Sequence, residues 1–462
     1  MTVKIGLSSL AIAFLLNSGL TQANTPIVAH VSQQQSSSPL PYQVLRNDIV
    51  NAAKPNQMLE IRNGGFGSDM TAHPTNKNQF YALTDRGPNA TYEKGEHGKG
   101  KIFPTPDYTP RIGLFEINAT GKVTLIRTIL LKRPDGTPIT GLPNHSGLGG
   151  TGETPYDTKG QPITENTDKP FNSQTNPLKL DDFGLDGEGL VALKDGTFWV
   201  SDEYGPHIVH FNSDGVELNR INPFSNDKRT QLNLPAEFAN RRPNRGMEGL
   251  TVTPDESTLV GIMQSTMHNP DKTVKDLNLV RLVTINLRTG EIGQYLYQQE
   301  KNQNANSGIV ALSPNEFLVI ERDGAFLRDD PKAMKHIYRI SLANATNLET
   351  IISGDSLVQD EKLGLTIQGK TLEQTVMEQG WKALAAHQIT PVSKTLVADL
   401  VKELNYPHDK LEGLWLINPT TLGVLNDDDF STWSSKGKLE QKYLDKDNQV
   451  IDTGTLYIID LY

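Results

Sequence analysis

The chain has 462 residues, 21% of them charged, with a formal net charge of −10 and no cysteine. Disulfides and thiolate metal sites are thereby excluded, and the acidic balance argues against a nucleic-acid partner. A chain this long exceeds one simple core unless it is built from repeats.

The first predicted element is a processing signal. Lys4 gives a basic start, residues 5–16 are apolar but too short to span a bilayer, and Thr21-Gln-Ala23 offers small residues for cleavage. Residues 1–23 therefore read as a signal peptide and the protein as periplasmic or secreted. No other run has the length of a membrane helix, and no membrane anchor is expected. Residues 24–41, with Gln33-Gln-Gln-Ser-Ser-Ser-Pro, read as a disordered linker. Residues 42–462 read as a single domain.

Within that domain a phrase recurs: a small or acidic residue, Gly and an apolar run, then a second apolar run ending in acidic residues. It is loose in Gly67-Ser-Asp-Met-Thr with Phe80-Tyr-Ala-Leu-Thr-Asp-Arg. It is clear in Asp186-Gly-Glu-Gly-Leu with Thr197-Phe-Trp-Val-Ser-Asp-Glu-Tyr. It returns as Gly246-Met-Glu-Gly-Leu, as Asn306-Ser-Gly-Ile with Phe317-Leu-Val-Ile-Glu-Arg-Asp, and as Leu411-Glu-Gly-Leu with Leu422-Gly-Val-Leu-Asn-Asp-Asp-Asp. The second unit divides into strands 189–193, 197–201, 208–212 and 216–221, separated by Asp195-Gly, Tyr204-Gly-Pro and Ser213-Asp-Gly turns. Four antiparallel strands in about 35 residues is the measure of a propeller blade.

The later units continue through strands 259–263, 279–287 and 291–297; then 317–320, 337–341 and 348–352; then 413–417, 422–425 and 455–461. The last unit lacks a fourth strand, which 58–62 or 42–46 is expected to supply, closing the ring. The predicted fold is an all-β propeller of four-stranded antiparallel blades. Five blades are visible, and a sixth would have room in the divergent stretch 353–410, where a helix is predicted over 372–386.

In such a meander the start of each first strand and the end of each second strand share one face. Glu188, Glu248 and Glu412 open first strands; Asp85, Asp202, Glu203, Glu321 and Asp427–Asp429 close second ones. The insertions 89–110, 266–278, 323–335 and 428–454 join second to third strands, and 132–184 and 353–410 join blades, which puts them on the same face. Crowded carboxylates persist only when protonated, paired or neutralised by a cation. Oxygen-only ligands favour calcium, with magnesium as the second choice. The predicted metal ligands are Glu188, Asp202, Glu248, Glu321, Glu412, Asp427 and Asp428, with Glu203 and Asp323 in the same acidic set. Arg86, Arg245 and Arg322 share the face and suit phosphate or carboxylate oxygens. Glu203 or His207 is placed to move a proton, and His73 and His145 read as solvated or hydrogen-bonded histidines. No Gly-x-Ser-x-Gly elbow, phosphate loop, dinucleotide fingerprint or His-Glu-x-x-His occurs.

These stretches, together with Gly64-Gly-Phe-Gly-Ser-Asp-Met, Trp199-Val-Ser-Asp-Glu-Tyr-Gly-Pro and Asn244-Arg-Gly-Met-Glu-Gly-Leu, resemble the phytase-like family, also described by "esterase-like activity of phytase". The family pattern has Asn where this chain carries Asp428, which alters one ligand. The resemblance implies a propeller and the hydrolysis of phosphoric or other esters. The leading expectation is a calcium-assisted phosphoester hydrolase acting on a small-molecule substrate. The alternatives are a lactonase or carboxylesterase, since six-bladed lactonase propellers similarly hold calcium with a Glu that opens an inner strand, or a non-enzymatic binding propeller. Oligomeric state is not fixed by any of these features.

Overall fold

The computed structural model describes residues 36–435 and 437–461; the predicted signal peptide and most of the predicted linker lie outside them. Among the described residues, five antiparallel sheets account for the repeats. The first consists of Asp69–Ala72, Gln79–Leu83, Arg111–Ile117 and Val123–Leu130; the second of Gly187–Ala192, Phe198–Asp202, Ile208–Phe211 and Glu217–Asn222. The third runs Met247–Val252, Thr258–Met263, Leu279–Asn286 and Ile292–Gln298. The fourth begins Ala305–Ala311, Glu316–Arg322 and Lys335–Ser341, and the fifth Gly413–Asn418, Thr421–Leu425 and Thr455–Asp460. The innermost strands lie side by side in order, and that of the fifth sheet rests against that of the first. This is a β-propeller-like arrangement.

The Glu-Gly-Leu glycines explain the tight centre. A Cβ on Gly189 would stand 2.6 Å from the backbone nitrogen of Leu250 in the next sheet. One on Gly249 would collide with the Ser307 carbonyl, and one on Gly308 with the Glu412 carbonyl. A side chain at any of them would push two sheets apart. The first sheet carries Asp69 at this place instead, and its carboxylate accepts the Leu190 amide at 2.7 Å, stitching the first sheet to the second. The apolar cores lie between faces of adjacent sheets, the largest joining the second, third and fourth.

Four expectations need correction. Residues 42–46 and 58–62 do not complete the fifth sheet; Val44–Arg46 pairs with Ile61–Arg62 instead. The fourth strand of the fifth sheet is Ser36–Pro39, inside the stretch read as linker, paired antiparallel with Thr455–Asp460. The outer strand of the fourth sheet is Ser393–Asp399, whereas Leu348–Thr350 is a short 3-10 turn. The stretch 353–410 holds a three-stranded antiparallel sheet, Leu357–Asp360, Gly364–Ile367 and Lys370–Thr371, placed in the chain between the third and outer strands of the fourth sheet. Its middle part departs from the far end of the third strand and packs against the outer side of the third sheet, where Arg281 pairs with Glu373 at 2.8 Å. The helix within it is two, Leu372–Gln379 and Trp381–Ala386, broken at Gly380 with φ 75°. A parallel strand, Thr230–Asn233, is added to the second sheet.

Candidate active site

At one end of the ring the inner strands open into a cavity of about 400 Å³, of ligand-binding size. Local backbone geometry aims its acids. Gly187 pairs with Asp202 and Gly189 with Ser201, so Glu188 is the extra residue of a β-bulge; Glu248 is the extra residue between Met247 and Gly249. A bulge takes a side chain out of the in–out alternation and re-aims it. Both carboxylates thus turn into the mouth and join Asp85, Glu203 and Glu412 on its wall. The roof comes from insertions: Asn89–Thr91 and Lys101 on one side, Thr432–Ser434 on the other.

Most of the basic side chains here are already committed. Arg86 reaches Asp186 at 2.7 Å and Glu153 at 3.4 Å, and donates to the Asn244 side chain at 2.6 Å. Arg322 is ion-paired with Glu412, lies 3.8 Å from Glu248, and donates to Ser307 Oγ at 3.1 Å. Lys410 reaches Asp427 at 2.5 Å and Asp429 at 2.8 Å. Gln264 ties two acids together, donating to Glu203 at 2.8 Å and to Glu248 at 2.7 Å.

Three side chains are left over. Glu188 is only 8% exposed and makes no side-chain hydrogen bond or ion pair among the described residues. Burial, then Glu248, Asp186, Glu412 and Glu203, holds its carboxyl well above the usual range. Burial likewise holds Glu248 and Glu412 at about 7, Glu248 being pushed further by Glu412 while Lys410 and Arg322 pull Glu412 back. On the basic side, Arg245 has a buried Nη1 with no partner, and Lys101 lacks a side-chain partner among the described residues. Burial, aided by Arg86, lowers the Lys101 ammonium.

The predicted residues thus divide. Arg86, Glu188, Glu203, Arg245, Glu248, Arg322 and Glu412 share the cavity wall. Asp202 does not reach it: its oxygens accept the Asp186 and Gly205 amides at 2.8 and 2.7 Å, which shapes the turn. Glu321 is saturated by four donors, Tyr297, Lys394, Asn304 and the Glu300 amide. Asp428 caps the Phe430 and Gly454 amides, each at 3.0 Å. His207 is buried behind the wall, its Nε2 2.9 Å from the Leu148 carbonyl. Asp323 pairs with Lys335 at 2.7 Å. Asp427 lies deeper, with Asp85 and Asp429.

Asp186, Lys101, Asp409, Lys410 and Lys442 were not singled out from the sequence. Asp186 opens the repeated motif Asp186-Gly-Glu-Gly-Leu, yet within it only Glu188 reads as a candidate ligand. Lys410, two residues before Glu412, gave the fair signal of a base beside a motif acid. Nothing in the pattern around Lys101 marks it.

Two groups of three carboxylates each place ligand oxygens within 4.8 Å of one another: Asp186, Glu188 and Glu203, and Asp85, Asp427 and Asp429. Fold and cavity together define a propeller-like protein with an acid-rich pocket at one mouth of its ring. The chain belongs to the phytase-like family, "esterase-like activity of phytase", whose model matches residues 61–430. An uncharacterized secreted protein of Arthroderma benhamiae (strain ATCC MYA-4681 / CBS 112371) is 32% identical over 174 residues, 33% of this chain and 32% of that relative, so the match spans about a third of it. Among solved structures, a PQQ-bound aldose sugar dehydrogenase from Streptomyces coelicolor is similar at 10% identity, covering 94% of this chain and all of that one, with a TM-score of 0.32. A gluconolactonase from Xanthomonas campestris is similar at 10% identity over 94% of this chain and 99% of that one, with a TM-score of 0.26. Neither likeness speaks to this chain's chemistry. No helix among the described residues is long and apolar enough to cross a membrane.

Proposed function

We propose that the protein is an exported, cation-assisted hydrolase of phosphoric esters, built as a five-bladed propeller with its active site in the acid-rich mouth. The observation that carries this is Glu188, enclosed among acids and without an ion-pair partner among the described residues. Seven carboxylates face five cationic side chains among the described residues lining the cavity. One divalent ion would balance that excess. Asp186, Glu188 and Glu203 offer it three hard oxygens at fitting separations, a donor set suited to calcium and open to magnesium. Such an ion, when bound, supplies a Lewis acid for a phosphoryl oxygen and lowers the pKa of water.

The chain's own residues divide the remaining work. Arg245 and Lys101 are the cavity's cations without a carboxylate partner among the described residues, and they hold the ester's anionic oxygens. Arg86 and Arg322 keep neighbouring acids in place instead. Glu203 and Glu248, bridged by Gln264, form the pair through which a proton leaves the attacking water. The chain's motifs and its relative described as secreted support export.

The test is phosphate release from phytate and an aryl phosphate by the purified mature chain, with calcium and then with chelator. Calcium-dependent release is expected. Glu188→Gln should raise the calcium required by at least about 100-fold, and Arg245→Ala should cut kcat/KM by about 100-fold. Turnover unaffected by chelator would overturn the proposal, and lactone cleavage without phosphate release would replace it with the lactonase reading.

A further inference from the structure

The second carboxylate group, Asp85, Asp427 and Asp429, already contains a cation of the protein's own. Lys410 Nζ stands 2.5 Å from Asp427 Oδ2, 2.8 Å from Asp429 Oδ1 and 3.9 Å from Glu412 Oε1. The Asp427 separation is that of an oxygen on a calcium ion, about 2.3–2.6 Å, and the Asp429 one is slightly longer; oxygens within 4.8 Å of one another can all touch one such centre. A further oxygen is free beside it: Glu412 is 2% exposed, and its Oε2 is buried without a hydrogen-bond partner. We infer that Lys410 fills a latent second divalent-cation site, so that this wall of the cavity keeps a permanent positive charge where an ion would otherwise bind.

The charges agree with this assignment. Lys442, 1% exposed at its side chain, also holds Asp429, at 2.6 Å, and would remain there if Lys410 were removed. Asp85 and Asp427 would then lose the ammonium that favours their charged forms, a role that one divalent ion at the same place can take over. Met in place of Lys410 removes the ammonium while keeping most of the apolar stem, so it opens the position without emptying the wall.

Calcium stoichiometry, measured by equilibrium dialysis of the mature protein and of Lys410→Met, tests this without any assay of turnover. The variant should bind one ion more per chain than the parent, and the added ion should vanish in Lys410→Met/Asp427→Asn. The inference draws on the reading of the first carboxylate group only for the parent's count. One ion rising to two supports both; none rising to one supports Lys410 and sinks the first site. Equal counts in parent and variant overturn the inference. Circular dichroism decides the case of a variant that does not fold alone: folding restored by millimolar calcium shows the ion standing in for the ammonium, and failure to fold there overturns it.

Discussion

His207 shows how a residue can matter to the cavity without touching it. Its ring packs 5.6 Å from Phe224, its Nε2–H is donated to the Leu148 carbonyl, and a Cβ on Gly205 would strike the ring. It therefore braces the turn after Asp202 that carries Glu203. Burial, reinforced by Arg220 and Arg229, holds its pKa well below the ordinary value, so the folded chain keeps it neutral. An unfolded histidine titrates near 6.5, so below that pH the unfolded state takes up a proton that the folded state refuses. The stability His207 confers is present above about pH 6.5 and is lost at up to about 1.4 kcal/mol per pH unit beneath it. Denaturation of the parent and His207→Gln should show a stability gap at pH 8 that narrows steadily towards pH 5. A gap that is constant or grows on acidification would mean the imidazole is charged in the fold.

Among the elements, the inner strands carry the strictest demands. Gly249 and Gly308 have no room for a methyl group, because the next strand's carbonyl occupies the place. Gly308→Ala should cost about 3 kcal/mol, measured as a shift in urea midpoint, whereas Gly354→Ala, with open space around it, should change little. Such demands repeat from the second unit to the fourth, which is why the inner and second strands there were legible in the sequence to within a residue or two. The convergence of Glu188, Glu248 and Glu412 on one end of the ring was legible from strand direction, whereas the β-bulges that turn Glu188 and Glu248 into the cavity were not. The outer strands were not. Ser393–Asp399 buries only Val397 and Ala398, follows a long insertion, and alternates too weakly to be told from a loop. Nor could the sequence separate free acids from paired ones. Whether Glu321 meets four donors and Glu188 none depends on Lys394, Tyr297 and Asn304, which arrive from distant stretches of chain.

For the whole molecule, the decisive element is one that composition disguised. Ser36–Pro39 has no apolar face to advertise, because its pairing uses backbone alone: Ser37 lies opposite Tyr457 and Ser38 opposite Leu456. Ser38 Oγ adds a bond to the Gly121 carbonyl at 2.6 Å, reaching the first sheet. Leu40, 2% exposed, then enters the core between the first and fifth sheets with Phe66, Leu425 and Leu456. The start of the described chain thus covers the edge left by its end, and ties the last sheet to the first. Burial of Leu40 alone is worth about 2 kcal/mol. Removing residues 24–40 should therefore lower Tm by several degrees and, by baring the Thr455–Asp460 edge, promote association visible in size-exclusion chromatography. Ser38→Pro separates the two contributions, since it leaves Leu40 in place while deleting one backbone donor and the hydroxyl. It should reproduce part of the Tm loss, and an unchanged Tm in the truncated chain would show that the ring is held shut by the inner strands alone.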